Sequence, residues 1–144
     1  MGKSIPSIAM PDYFAEAKQA YSGQATPLEI LDQAAEQLKG QTNGFVTGSV
    51  YIATYLGSVR YTFNLVVPRL NSYTDPLFYV TTNGPVTTGY PVTVMETGVS
   101  AGTECHTPDE FVQYLESIFN NGTTRARIAQ WVEMAEERQL DSES

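Results

Sequence analysis

The chain has 144 residues, a formal charge of −8 and a sequence pI near 4.5. This length can bury a core without disulfides or metals, and the acidic balance excludes the basic footprint of a nucleic-acid-binding protein and disfavours an anionic membrane surface. We expect one domain over residues 1–144, with residues 1–11 and 140–144 irregular or mobile.

Cysteine and histidine usage restricts the chemistry further. The chain holds one cysteine, Cys105, and one histidine, His106, so it can form no intrachain disulfide and cannot supply the usual ligands of a zinc site. It contains no glycine motif for binding phosphates or dinucleotides, and its first twenty residues hold no apolar run that a signal peptide would need. We therefore expect a cytoplasmic protein without a metal or other cofactor.

Two helices are predicted before the centre of the chain. Asp12 is placed to cap a helix that ends near Ser22. A second start signal follows in the sequence Thr-Pro-Leu-Glu at residues 26–29, where threonine caps, proline takes the first helical position and glutamate completes a capping box. This second helix is predicted to end at Lys39, just before Gly40.

Two further helices are predicted after the centre. The sequence Thr-Pro-Asp-Glu at residues 107–110 repeats the capping-box chemistry and predicts a helix that Asn121 and Gly122 end. A last helix is predicted from Arg125 to Gln139. The apolar stripe of the helix that begins at residues 107–110 comprises Phe111, Leu115, Ile118 and Phe119.

Four strands are predicted between these helix pairs, from β-branched and aromatic residues that alternate with polar ones. They span residues 45–56, 59–67, 77–82 and 91–96. Residues 71–76 and 98–106 are predicted loops, and Pro68, which has no N–H to donate, is predicted to end the second strand. Segregated helices and strands predict an α+β fold with a four-stranded antiparallel sheet, flanked by two N-terminal and two C-terminal helices.

The predicted sheet is nearly free of charge. Residues 45–95 contain six of the nine tyrosines but only three charged residues, Arg60, Arg69 and Asp75. Sheet faces and edges that meet water usually carry charged side chains, lysine above all. Either helices cover the sheet on both faces, or another subunit does. We expect a homo-oligomer whose subunits meet through this block or through the end helices.

Tyrosine suits a surface that is wet in the free protein and buried in the complex, because its large apolar ring carries a polar tip. The tyrosines expected to line such an interface are Tyr51, Tyr55, Tyr61 and Tyr79.

Four arginines are candidates for binding an anion. Arg125 and Arg127 occupy the start of the last predicted helix, where free backbone amides favour negative charge. Alternatively, these two arginines pair with acidic side chains of a neighbouring helix or subunit. Arg60 and Arg69 could hold a planar or phosphorylated ligand against tyrosine rings. However, nine residues of strand separate them by about 30 Å, so they could converge only around a bend or across subunits; alternatively, each simply reaches solvent.

Cys105 and His106 form the one place with nucleophile chemistry. A cysteine nucleophile needs a base and an orienting group, which Asp109 could supply. Adjacent side chains in an extended loop point apart, however, so we assign no catalytic residue and favour a protein that is not an enzyme.

The sequence thus predicts a non-catalytic protein that acts through protein–protein or self-association contacts of an uncharged sheet rich in tyrosine and threonine. A basic protein matched to the acidic C-terminal part is the other partner considered, since residues 96–144 hold ten acids and three bases. The alternative is a small-molecule binder that sequesters an anionic metabolite or nucleotide. The residues assigned to that ligand are Arg60, Arg69, Tyr51, Tyr61, Arg125 and Arg127.

Overall fold

A computed structural model describes residues 26–82, 89–99 and 101–143. The predicted helix at residues 12–22 therefore lies outside the described residues. The elements are α1 (Pro27–Gln41), β1 (Thr47–Tyr55), β2 (Ser58–Val67), a one-turn 3-10 helix (Pro68–Leu70), β3 (Tyr73–Thr82), β4 (Val92–Glu96), β5 (Thr103–Cys105), α2 (Pro108–Asn120) and α3 (Gly122–Glu143).

The strands form one antiparallel sheet in which each strand pairs with the next along the chain, in the order β1-β2-β3-β4-β5. The predicted α+β class with an antiparallel sheet is confirmed. The predicted strand count of four was wrong, because β5 lies inside the predicted loop 98–106. With only three residues, β5 is too short to show an alternating pattern in the sequence.

The third strand begins earlier than predicted, at Tyr73, so the predicted loop at residues 71–76 was also wrong in part. This strand contains Pro76, although proline cannot donate to a ladder. The structure places Pro76 opposite Asn64, at the β-bulge where the register between β2 and β3 shifts. Because the hydrogen-bond ladder is interrupted at a bulge, a residue without an N–H is tolerated there.

The helix starts follow from their caps. The Thr26 hydroxyl accepts a hydrogen bond from the Glu29 amide, and the Glu29 carboxylate accepts one from the Thr26 amide, which completes the predicted capping box of α1. At α2 the Thr107 hydroxyl likewise accepts from the Glu110 amide. The Glu110 carboxylate, however, accepts from the His106 amide at 2.7 Å, so this second box is shifted by one residue.

The last helix is longer than predicted at both ends. It begins at Gly122, ahead of Arg125, and continues to Glu143, beyond the predicted end at Gln139. The Asn121 side chain caps it by accepting a hydrogen bond from the Thr123 amide at 2.8 Å. The helix thus extends through residues 140–143, part of the segment 140–144 that the sequence predicts as irregular or mobile.

All three described helices pack on one face of the sheet, which we call the covered face. α1 approaches β1 so closely that a Cβ on Gly48 would lie 2.8 Å from the Ala35 Cβ, which explains glycine at this position. α2 places Phe119 edge-on against Phe63 and Phe78, with ring centroids 5.6 and 6.2 Å away. These three rings are buried and form the centre of the hydrophobic core.

No helix among the described residues lies on the other face, which we call the open face. The sequence leaves two alternatives, cover by helices on both faces or cover by another subunit. The described helices cover only one face. The open face is therefore the candidate functional surface.

Candidate functional site: the open face of the sheet

The open face is built by the strand residues that alternate with those of the covered face. Cross-strand pairing aligns them in rows, of which one runs from Tyr51 through Thr62 and Tyr79 to Met95. The residues of the open face used below are Thr47, Ser49, Tyr51 and Ala53 on β1, Arg60, Thr62, Asn64 and Val66 on β2, Tyr79 and Thr81 on β3, Thr93 and Met95 on β4, and Glu104 on β5.

The open face carries two charged side chains among those residues, Arg60 and Glu104. Both belong to one row, in which Arg60 pairs with Thr81, Thr81 with Thr93, and Thr93 with Glu104. Three strand spacings separate them, about 14 Å, so they make no direct ion pair. The middle of the face is uncharged, as the sequence predicts for residues 45–95.

Arg60 is held by an aromatic ring. Its guanidinium carbon lies 4.4 Å from the centre of the Tyr79 ring, a cation–π contact. Arg60 itself is exposed. Two of the residues predicted for the interface or ligand, Arg60 and Tyr79, thus meet on this face, and Tyr51 lies on the neighbouring row with 65% of its surface exposed.

Tyr61, by contrast, lies on the opposite face from Tyr51. In the β1–β2 register Tyr51 pairs with Thr62, whereas Tyr61 pairs with Ile52 and packs half-buried against the core. Burial raises the pKa of the Tyr61 phenol. The side chain of Tyr55 lies outside the described residues.

The remaining predicted arginines lie at the far end of β2 from Arg60. Arg69 belongs to the 3-10 helix that follows β2, while Arg125 and Arg127 belong to the first turns of α3. The structure therefore does not bring together the six residues predicted for one anionic ligand. Arg60 and Tyr51 share the open face, and the other four lie elsewhere.

Arg127 has an acidic partner within the chain. Its guanidinium donates to the Asp75 Oδ1 atom and, at 3.3 Å, to the Pro76 carbonyl. Trp131 Nε1 donates to the Asp75 Oδ2 atom at 2.9 Å, and the Trp131 ring lies 5.0 Å from that of Tyr73. This cluster, which we call the α3 clamp, connects α3 to β3. Within it, Asp75 pairs with the Arg127 guanidinium that an anion would otherwise bind.

The Cys105 thiol is buried on β5. Burial, with the nearby Glu110 carboxylate as a smaller cause, raises its pKa to about 11, so almost none of it is thiolate near neutral pH. The one histidine pairs elsewhere, since His106 Nε2 lies 3.4 Å from Glu104 Oε1. Nothing in this arrangement activates the thiol as a nucleophile.

The turn between β1 and β2 exposes apolar surface at the end of the sheet. Its two central residues are Leu56 and Gly57, with φ of +48° and +83°. The turn therefore lies one position earlier than residues 57 and 58, which separate the predicted strands 45–56 and 59–67. Positive φ at both positions is the mirror-type turn that matches strand twist, and a residue with a side chain pays about 1–2 kcal/mol there. Leu56 is 88% exposed and Ile52 is 47% exposed.

Other classes of site receive no support from the described residues. Across residues 26–82, 89–99 and 101–143, no three side chains of the histidine, cysteine, aspartate and glutamate types cluster so as to hold a metal ion. None of the helices that the structure describes has the length and apolar character to cross a membrane.

The sequence matches no protein-family model, and comparison with curated proteins and with solved structures finds no significant match. The functional argument therefore depends on the geometry of the chain itself.

Proposed function

We propose that this protein is a non-catalytic binding protein of the cytoplasm that acts through protein–protein or self-association contacts of the open face. The observation that carries the proposal is the charge pattern of that face, where only Arg60 and Glu104 are ionised and no described helix provides cover. Natural sheets protect faces and edges that stay in water with charged side chains.

The residue types on the open face also favour a protein partner. Tyr51 and Tyr79 combine apolar rings with a hydroxyl, and threonines fill the positions between them. Tyrosine and arginine are enriched at protein interfaces, whereas lysine and glutamate are depleted. The acidic residues lie mainly after residue 95, so a basic partner would bind there rather than on the open face.

Placing a lysine in the middle of the open face tests this proposal. Thr62 is half-buried in the central row, so Thr62→Lys introduces a charge that a protein contact must desolvate. We expect the affinity of the contact to fall at least about tenfold, which is about 1.4 kcal/mol. Mass measurement across a concentration series and co-purification of partners both report it.

Ser117→Lys on the exposed side of α2 is the matched control, because it adds the same charge away from the sheet. Association that survives Thr62→Lys as well as it survives Ser117→Lys would rule out the open face as the contact surface.

The second candidate function, capture of an anionic metabolite or nucleotide, draws support from one observation. The Arg60 guanidinium over the Tyr79 ring offers both a positive charge and an aromatic surface to a planar anion. A nucleotide at 100 times its dissociation constant would stabilise the fold by about 2.7 kcal/mol and raise the Tm by roughly 8 °C.

A thermal-shift panel of nucleotides and anionic metabolites measures this effect. Arg60→Lys keeps the charge but not the planar group, and we expect it to abolish most of any shift, whereas Arg125→Lys should not. Ligand-independent Tm values for the wild type would exclude the small-molecule function.

A further inference from the structure

The two edges of the sheet differ in length and in protection. β5 closes one edge with three residues, which include Glu104 and are followed directly by His106. β1 forms the other edge with nine residues. Exposed edge strands are templates for pairing with another chain, and proteins blunt them by shortening, charge, proline or a bulge.

β1 has none of these protective features. No charged residue lies between Lys39 and Arg60, and no proline lies between Pro27 and Pro68. The register shift in the sheet falls between β2 and β3, and β1 pairs with β2 without interruption from Thr47 to Tyr55. As far as the described residues show, the longer of the two edges is therefore the unprotected one.

Pairing geometry identifies which main-chain groups β1 presents at this edge. The two-residue turn closes on the pair Tyr55–Ser58, and hydrogen-bonded and non-hydrogen-bonded pairs alternate from there. The neighbouring pair, Thr54–Val59, is non-hydrogen-bonded, since the Val59 amide donates instead to the Thr82 hydroxyl on β3. Thr54 and every second residue before it thus direct their N–H and C=O groups away from β2.

These outward-directed residues are Gly48, Val50, Ile52 and Thr54. Within the described part of the chain, no hydrogen-bond partner is found for their main-chain groups. Four evenly spaced residues of this kind form a continuous docking edge for an extended strand.

We propose that the β1 edge pairs antiparallel with the β1 edge of a second copy of this chain, about a two-fold axis at Tyr51. In this register Gly48 faces the partner's Thr54 and Val50 faces the partner's Ile52, and about eight main-chain hydrogen bonds form. Two five-stranded sheets join into one of ten strands with a single continuous open face. This edge contact is additional to the contacts of the open face, which stays uncovered in the dimer, so the inference goes beyond the proposed function.

A second copy fits this edge for electrostatic reasons. Two chains of charge −8 repel each other wherever their acids meet, and ten of those acids lie in residues 96–144. β1 is the longest uncharged strand that the structure describes. The acids nearest to it in sequence, Asp32 and Glu36, are exposed on α1 over the covered face.

The two-fold arrangement also covers the exposed apolar side chains of β1. Tyr51, 65% exposed, meets the partner's Tyr51 in a non-hydrogen-bonded pair, where side chains approach most closely. Ile52, 47% exposed, meets the partner's Val50. A foreign peptide strand would need pockets for its side chains, whereas a second copy meets its own β1 side chains across the axis.

Cysteine cross-linking tests the register. In the proposed dimer two copies of Tyr51→Cys have Cα atoms about 4.5 Å apart, within reach of a disulfide. Two copies of Ser49→Cys lie about 13 Å apart along the strands and cannot be bridged. A mixture of Ser49→Cys with Ala53→Cys chains should again cross-link, because these positions pair across the axis. The buried Cys105 leaves little background reaction.

A charge placed on the edge tests the same inference without cross-linking. Ile52→Lys changes an exposed side chain, so the fold tolerates it, and we expect the dimer dissociation constant to rise at least tenfold. Val99→Lys changes a similarly exposed apolar side chain, 49% exposed, between β4 and β5 and should leave the dimer intact.

The outcomes separate this inference from the proposed function. A dimer that survives Ile52→Lys and gives no Tyr51→Cys cross-link overturns the β1 edge, while loss of association in Thr62→Lys still supports the open face. Cross-linking at Tyr51→Cys, together with associations that Thr62→Lys leaves unchanged, supports the edge and overturns the open-face function. A wild type that stays monomeric overturns the edge, and resistance of the Gly48, Val50, Ile52 and Thr54 amides to hydrogen exchange would then show that another segment covers it.

Discussion

Replacing Phe119 with alanine is expected to lower the free energy of unfolding by about 3–5 kcal/mol. Phe119 is 1% exposed and lies edge-on to both Phe63 and Phe78, so the substitution opens a cavity where α2 meets the sheet. The loss is a large share of the roughly 5–15 kcal/mol that stabilises a domain of this kind. Urea denaturation followed by circular dichroism measures it.

Two companion variants make the Phe119 result specific. Phe119→Leu keeps much of the volume and should lose less than half as much stability. Ser117→Ala, on the exposed side of the same helix, should stay within about 0.5 kcal/mol of the wild type. A Phe119→Ala protein as stable as the Ser117→Ala protein would contradict the packing of α2 on the covered face.

Replacing Asp75 with alanine should destabilise the fold by about 2–3 kcal/mol. Its carboxylate accepts hydrogen bonds from Arg127 and from Trp131 Nε1, and the substitution leaves both donors of the α3 clamp without this acceptor. We place the effect below that of a fully buried pair because the Arg127 and Asp75 side chains retain 32% and 17% exposure. Trp131 is the one tryptophan of the chain, so its fluorescence reports the change directly.

The controls for Asp75 vary charge and position separately. Asp75→Asn retains an acceptor oxygen for one of the two donors and should fall between the wild type and Asp75→Ala. Glu133→Ala removes an exposed carboxylate from α3 and should change stability by less than about 0.5 kcal/mol. Equal stability of the Asp75→Ala and Glu133→Ala proteins would show that the α3 clamp holds nothing in place.

Features of the fold that depend on local chemistry could be predicted from the sequence. Thr26 and Thr107 cap α1 and α2 where the residue types predict, because a cap needs only its own first turn. Pro68 ends β2 for an equally local reason, its missing N–H. The alternation along β1 correctly separates Tyr51 from Val50.

Features that depend on distant residues could not be predicted in this way. β5 forms because its residues pair with β4, as Thr103 does with Val94. A segment of three residues carries no sequence pattern that predicts this pairing. The α3 clamp joins Arg127 to Asp75 over 52 residues. Sequence reasoning left two alternatives for Arg125 and Arg127, an anion site or pairing with acidic side chains, because it could not identify the carboxylate that the fold brings to Arg127.

One missed feature did have a signal in the sequence. Placing the turn at Leu56–Gly57 fixes Tyr55 opposite Ser58, and counting back from there sets Tyr51 opposite Thr62. That register puts Tyr61 on the other face from Tyr51, so the two tyrosines could not have shared one site. A turn centred on Gly57 and Ser58 gives the same result, since moving the turn by one residue shifts each cross-strand pairing by two and leaves every side chain on its face.

The most direct test of the central claim, that another protein molecule covers this uncharged sheet, is the mass of the wild-type protein in solution. Light scattering at micromolar concentration should give at least twice the 15.8 kDa of one chain. It should fall in the Thr62→Lys variant, which places a charge on the open face. A wild type that remains at 15.8 kDa across the micromolar range would contradict the account.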